Sequence, residues 1–227
     1  MGAVVAMLAF ASAADARVLV FTKTTGFRHD SIPAGAAALR RMGFAVTTTD
    51  RWPSRLSRYE AVVFLSTTGN PLPSASQRRS LQRYMSHGGG FLGVHAAADA
   101  GASWPWYRGL VGATFKRHDP GTPSAVVSVV DRDSAATSGL PRSWRRSDEW
   151  YEFRHDPSGR VHVLARVNGH PIAWCHRYGG GRAVYTGMGH TIASYSEPLF
   201  LRHLRGALRM AAGRASFNCG VSGAAVR

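Results

Sequence analysis

Residues 17–31 read Arg17-Val18-Leu19-Val20-Phe21-Thr22-Lys23-Thr24-Thr25-Gly26-Phe27-Arg28-His29-Asp30-Ser31. The first six form a short, apolar, β-branched run without polar alternation, the pattern of a strand buried on both faces. A polar loop with one glycine follows over Lys23–Asp30. Ser31 is then a candidate N-cap, with Pro33 in the first turn of a helix. Apolar residues at Ile32, Ala36, Leu39 and Met42 keep helical spacing, and Gly43 supplies a C-cap. Strand, loop and helix thus succeed one another within thirty residues, and the unit repeats. Phe44–Thr48 reads as a second strand, and Ala61–Leu65 as a third, ending in the turn Thr67–Pro71. Leu81, Tyr84 and Met85 mark the buried stripe of a further helix, broken by His87-Gly88-Gly89-Gly90 before a fourth strand at Phe91–Val94. Successive β-α-β units with right-handed crossovers imply a parallel, doubly wound sheet.

The second half follows a different pattern. Val126–Val130, Val161–Ala165, Ile172–His176 and Ala183–Thr186 are strand-like. Arg177–Gly181 between the last two is a natural hairpin turn, so antiparallel strands are expected here. Arg132–Arg160 is a long polar stretch, of a kind that is usually functional or unstructured. A final helix begins near Ser196 and turns Phe200, Leu204 and Leu208 inward before Gly213. The chain therefore divides into a leader over 1–16, one α/β domain over 17–213, and a small, polar tail over 214–227 expected to be flexible.

The leader is read from Val4–Ala13, apolar and too short to span a bilayer, followed by Ala11-Ser12-Ala13 and Ala14-Asp15-Ala16 as cleavage motifs. Export follows as an expectation, although a basic segment before the apolar run is missing. No other stretch is apolar and long enough for a membrane span. Cys175 and Cys219 are compatible with one disulfide in an exported protein; their spacing does not say whether they meet. The net charge of +15, from 28 basic and 13 acidic residues, rests almost wholly on arginine. These arginines are scattered singly or in pairs and no recognition motif accompanies them, so no specific nucleic-acid partner is expected.

In open α/β sheets, ligands bind beyond the carboxyl ends of the strands. The loop after strand one carries Lys23, Thr25, Phe27, Arg28 and His29. The loop after strand four carries His95 and Asp99, and the loop after Ala183–Thr186 carries His190. His95 occupies the strand-to-helix bend where such folds place a reactive residue, and suits a general base or metal ligand, with core packing as the rival reading. Asp99 is placed to orient it or to cap a helix. His118 lies in the polar loop Phe115–Pro120, and Asp148, Glu149, Trp150 and Tyr151 form a charged and aromatic cluster of the kind that holds sugars, with a solvated loop as the rival reading. No G-x-S-x-G is present, and no strand leads through G-x-G-x-x-G into a helix, so no nucleotide cofactor is expected. Zinc or manganese is compatible with the imidazole and carboxylate groups, without a compact ligand motif to demand either.

The segments Thr25–Ile32 (T-G-F-R-H-D-S-I) and Gly88–Asp99 (G-G-G-F-L-G-V-H-A-A-A-D) resemble the trehalose-utilisation, or ThuA-like, family. So do Phe115 with His118 and Pro120, Asp148–Tyr151, Pro171 with Trp174, Gly179–Arg182 and Gly189-His190. The resemblance implies a three-layer α/β/α sandwich, flavodoxin-like and of the class I glutamine amidotransferase type. In amidotransferases the bend after the corresponding strand holds a cysteine nucleophile; here His95 stands there, which argues against glutamine hydrolysis. The family's link to disaccharide catabolism implies a sugar or keto-sugar substrate. The expected roles are then His95 as general base or electrophilic partner with Asp99 orienting it, and His29 and His190 as a polar wall. Glu149 would be a second acid/base, and Lys23, Thr25, Phe27, Arg28, His118, Trp150 and Tyr151 substrate contacts. A carbohydrate-binding module without turnover is the competing expectation.

Overall fold

The computed structural model describes residues 16–220. The expected leader lies outside these residues except for Ala16, as does the tail beyond Gly220. The chain forms β1 (Arg17–Phe21), α1 (Ile32–Arg41), β2 (Ala45–Thr49), β3 (Ala61–Leu65), α2 (Ala75–Ser86), β4 (Gly90–Val94) and α3 (Pro105–Val111). These are followed by β5 (Phe115–His118), β6 (Ser124–Val129), β7 (Ser143–Ser147), β8 (Tyr151–Phe153), β9 (His162–Val167), β10 (His170–Tyr178), β11 (Gly181–Thr186) and α4 (Pro198–Ala211).

Nine strands make one sheet in the order β2-β1-β3-β4-β11-β10-β9-β6-β7, while β5 and β8 form a separate antiparallel pair. The five strands from β2 to β11 run parallel. From β11 onward every neighbour is antiparallel, starting with the β10–β11 hairpin. Alternate residues of the parallel strands face opposite layers. Val18, Val20, Val63 and Val184 pack with Ile32, Leu39, Phe200, Leu204 and Leu208 of α1 and α4. Leu19, Phe21, Val62, Phe64 and Phe91 pack with Leu81, Met85, Tyr107 and Leu110 of α2 and α3. Each such side chain contributes roughly 1.5–3 kcal/mol when fully buried. At Gly90, which opens β4, a Cβ would come within 1.9 Å of the Ala211 carbonyl, so the end of α4 abuts the strand because no side chain intervenes.

Four features depart from the expectations. Between β2 and β3 the crossover is a single 3-10 turn, Leu56–Arg58, rather than an α-helix. The Arg132–Arg160 stretch is not one loop, since β7 and β8 lie within it. Strand β7 reads Ser-Trp-Arg-Arg-Ser, and its two buried positions are Trp144 and Arg146, so a buried cation conceals the alternation. Helix α3, seven residues long and started by Pro105, is too short to show a helical period. Finally, the segment 214–220 has no regular structure but is held down: Cys219 is buried and bonded to Cys175, 44 residues away, and Arg177 lies over the ring of Phe217.

Candidate functional site

Strand β1 lies between β2 and β3, so the chain passes to one side of it for β2 and to the other for β3 and β4, and such a reversal places a crevice beyond the carboxyl ends of the strands. The loop after β1 is laced to the turn after β3. Thr25 N–H donates to the Thr68 carbonyl at 3.1 Å. Thr68 Oγ1 donates to the Phe27 carbonyl at 2.7 Å, and Asn70 N–H to Thr25 Oγ1 at 2.6 Å. Arg28 donates to the Thr22 carbonyl at 3.1 Å. Thr25 and Arg28 therefore hold the loop that presents His29. Ser31 makes no side-chain cap for α1; its hydroxyl instead donates to the Gly189 carbonyl at 3.4 Å, joining this loop to the one after β11.

His95 follows β4 with φ +49° and is fully buried. A non-glycine residue held in this left-handed region is a feature that functional sites share. The Tyr185 hydroxyl donates to the His95 carbonyl at 2.8 Å. His95 Nδ1 donates to the Gly187 carbonyl at 3.0 Å, which leaves the Nε2 lone pair aimed into the crevice. There it meets His190 Nδ1 at 3.1 Å and Glu149 Oε2 at 3.2 Å. His190 Nδ1 and Glu149 Oε2 are 3.3 Å apart, so the three atoms form a closed triangle. His29 completes the group: donor atoms of His29, His95, Glu149 and His190 lie within 4.8 Å of one another.

Asp148 organises this arrangement without joining it. Fully buried, its carboxylate accepts from Gly189 N–H at 2.8 Å and from the N–H groups of His190 and Glu149 at 3.0 Å each. Arg146 is ion-paired with it at 2.8 Å and reaches on to Glu197 and Ser194. One carboxylate thus fixes the backbone of two cluster residues. On the open side, His118 stands on β5 with Nε2 3.2 Å from Glu149 Oε1. Tyr151, buried on β8, packs its ring 4.5 Å from that of His95.

The electrostatics follow from this packing. Burial, with the neighbouring His95 and His190, holds the His29 imidazole down to about 3, so it stays neutral. Burial alone would raise the Glu149 carboxyl, but the imidazoles of His190 and His95 against it bring it well below the usual range. The bond to Glu149 raises His190. Burial raises Asp99, which lies half-buried at the end of the 3-10 turn His95–Asp99 and makes no hydrogen bond to His95.

Of the expected site residues, His29, His95, Glu149 and His190 come together, with His118 and Tyr151 against them. Asp99 is nearby but does not orient His95; the Gly187 carbonyl does. The indole N–H of Trp150 is engaged by the Pro123 carbonyl at 2.8 Å. Lys23 is half-buried in the loop after β1 and Phe27 is exposed above His29. Arg146, Tyr185 and Gly187 are additions that the residue pattern does not signal. Two of them act on or through a backbone carbonyl, which leaves no mark on residue type.

The trehalose-utilisation (ThuA) family profile matches residues 17–211. The chain belongs to the ThuA family. Among solved structures, a ThuA-like protein of Bacteroides uniformis superposes with a TM-score of 0.71 at 22% identity, over 87% of this chain and 92% of that one. A ThuA-like protein of Parabacteroides merdae gives 0.71 at 20% identity, over 87% and 90%. A GMP synthase protein of Thermoplasma acidophilum gives 0.56 at 17%, over 88% and 96%. No curated protein sequence matches the chain. This ThuA-family protein therefore has the class I glutamine amidotransferase-like fold, and the matched segment contains every residue of the cluster. Its only two cysteines are joined to each other, so no thiol is free. No helix among the described residues is long and apolar enough to cross a membrane.

Proposed function

We propose that this ThuA-family protein is an exported enzyme that acts on the carbonyl of an oxidised disaccharide, with a divalent cation held by His29, His95, Glu149 and His190. The observation that carries this reading is the triangle of His95 Nε2, His190 Nδ1 and Glu149 Oε2, with edges of 3.1, 3.2 and 3.3 Å. Hydrogen bonds join atoms in pairs, and three basic atoms that each face the other two make more contacts than the protons between them satisfy. A cation at their centre satisfies all of them. The edges match the roughly 3.3 Å separation of ligands around an ion with bonds near 2.0–2.1 Å. Two further features fit. His29 Nδ1 is buried without a hydrogen-bond partner. The bond from His95 Nδ1 to a carbonyl is the usual support behind a metal-bound imidazole.

Such an ion would polarise a carbonyl or hydroxyl oxygen of the substrate. The protein's own groups supply the rest. Glu149 presents its second oxygen to His118, so the pair can pass a proton between the cluster and the open side. No cysteine can act as nucleophile, because both thiols are spent in the disulfide. Sugar as substrate class is supported by the family's description, trehalose utilisation, and by the aromatic residues around the polar centre. Export is supported by the disulfide, which persists in oxidising compartments.

The test is metal analysis of the purified protein followed by incubation with a 3-keto-disaccharide, before and after chelation and after readdition of zinc or manganese. Stoichiometric metal and metal-dependent conversion of the keto-sugar are expected. Sugar binding without conversion in every metal state would instead establish a binding module.

A further inference from the structure

Four large apolar side chains are exposed among the described residues: Phe27 at 69%, Ile192 at 59%, Val130 at 51% and Val126 at 37%. Scattered exposed apolar residues are ordinary. Phe27 and Ile192 are not scattered. Phe27 stands two residues before His29 and Ile192 two residues after His190, and the rings of those histidines are 5.1 Å apart. Two of the three loops that deliver imidazole to the polar centre, those of His29 and His190, therefore also carry an exposed apolar group two residues away.

Phe27 is also presented rigidly. Its carbonyl is held by Thr68, the flanking Thr25 is bonded to Asn70, and Arg28 is tied to Thr22. The ring meets the His29 imidazole edge-on, with centroids 4.9 Å apart, and is otherwise left to water. An aromatic ring fixed in solvent beside a hydrogen-bonding centre matches the two-sided surface of a pyranose, whose C–H face stacks on aromatic carbon while its hydroxyls stay wet.

We infer that Phe27 and Ile192 form an apolar ledge that takes the C–H face of the sugar ring next to the reacting one, so that the site prefers a disaccharide to a monosaccharide. The inference rests on the sugar reading above and assigns the second ring its place: the reacting carbonyl lies at the histidine cluster, and the neighbouring ring lies on Phe27.

The experiment measures kcat and KM of the metal-replete enzyme for a 3-keto-disaccharide and the corresponding 3-keto-monosaccharide, with metal content recorded for every variant. Phe27→Ala is expected to raise KM for the disaccharide about tenfold and for the monosaccharide less than twofold. Phe27→Trp should restore the disaccharide value, and Ile192→Ser should act in the same direction as Phe27→Ala. Val126→Ala, an exposed apolar residue on β6, serves as the control and should match the native enzyme. Equal losses on both sugars, or no loss on the disaccharide, would overturn the ledge while leaving the sugar reading intact. A native protein that neither converts nor binds either sugar would overturn both.

Discussion

At the scale of single residues, the site is a set of imidazoles and one carboxylate held at contact distance by groups behind them. His95→Ala and His190→Ala each remove one corner of the triangle. Each variant is expected to lose bound metal by at least about tenfold in affinity, together with turnover, as read by metal analysis and competition with a chelator. Asp148 is a different case, because it touches neither the crevice nor the expected ion. Its carboxylate neutralises buried Arg146 and accepts three backbone N–H bonds. Asp148→Ala leaves buried Arg146 with Glu197 as its remaining carboxylate and strips three backbone N–H groups of their acceptor, and should cost about 3–5 kcal/mol in urea unfolding. The Glu149 and His190 backbones would be released at the same time. Asp148→Asn keeps the shape and should recover part of the loss. Gly189, with φ +110°, is another fixed point: a Cβ there would be strained and would meet the Tyr195 hydroxyl at 2.9 Å.

At the scale of elements, the strands differ in how far their sequences declare them. β1, β3 and β4 are buried on both faces and read as continuous apolar runs. The carboxyl ends of these strands, and hence the loops bearing His29 and His95, were legible from residue order alone. β5, β7 and β8 were not. They are four, five and three residues long, and they carry histidine, arginine and glutamate. Their pairing depends on partners far along the chain, such as His118 opposite Tyr151 and Ala125 opposite Arg146. His118 therefore could not be placed from its neighbours. The junction of β4 with α4 gives an element-scale prediction. Gly90→Ala forces a methyl group into the Ala211 carbonyl, and the helix must move. A loss of about 1–3 kcal/mol is expected, measured by thermal unfolding.

At the scale of the molecule, two global properties respond to conditions. His203 is fully buried on α4, donates from Nδ1 to the Ala136 carbonyl, and is held down to about 4 by burial. Its unfolded form takes up a proton below about 6.5. Stability from this group is therefore complete above that pH and declines as pH falls toward 4, by up to about 3 kcal/mol. Buried His176 is shifted in the same direction by burial, so the two act together. His203→Leu should flatten the pH dependence of the urea midpoint between pH 7 and 4; an unchanged slope would assign the acid sensitivity elsewhere. The Cys175–Cys219 bond spans 44 residues and ties the C-terminal segment to the middle of the sheet. By chain entropy its reduction should cost about 4 kcal/mol, observed as a lower Tm in reductant.

Residue order by itself determined the β-α-β half, the antiparallel turn-over after it, and the three loops that carry His29, His95 and His190, because burial patterns and turn residues are local signals. It also contained the motifs that marked the family. Only the tertiary structure decided which groups converge: that Glu149 closes the triangle, that Asp99 does not orient His95, that Asp148 and Arg146 stand behind the site, and that Cys219 reaches Cys175. These facts depend on loops from distant parts of the chain meeting at one sheet edge, and on backbone carbonyls whose role is independent of side-chain type. A distance between groups far apart in the chain is set by the packing of the whole sheet, and no local pattern encodes it.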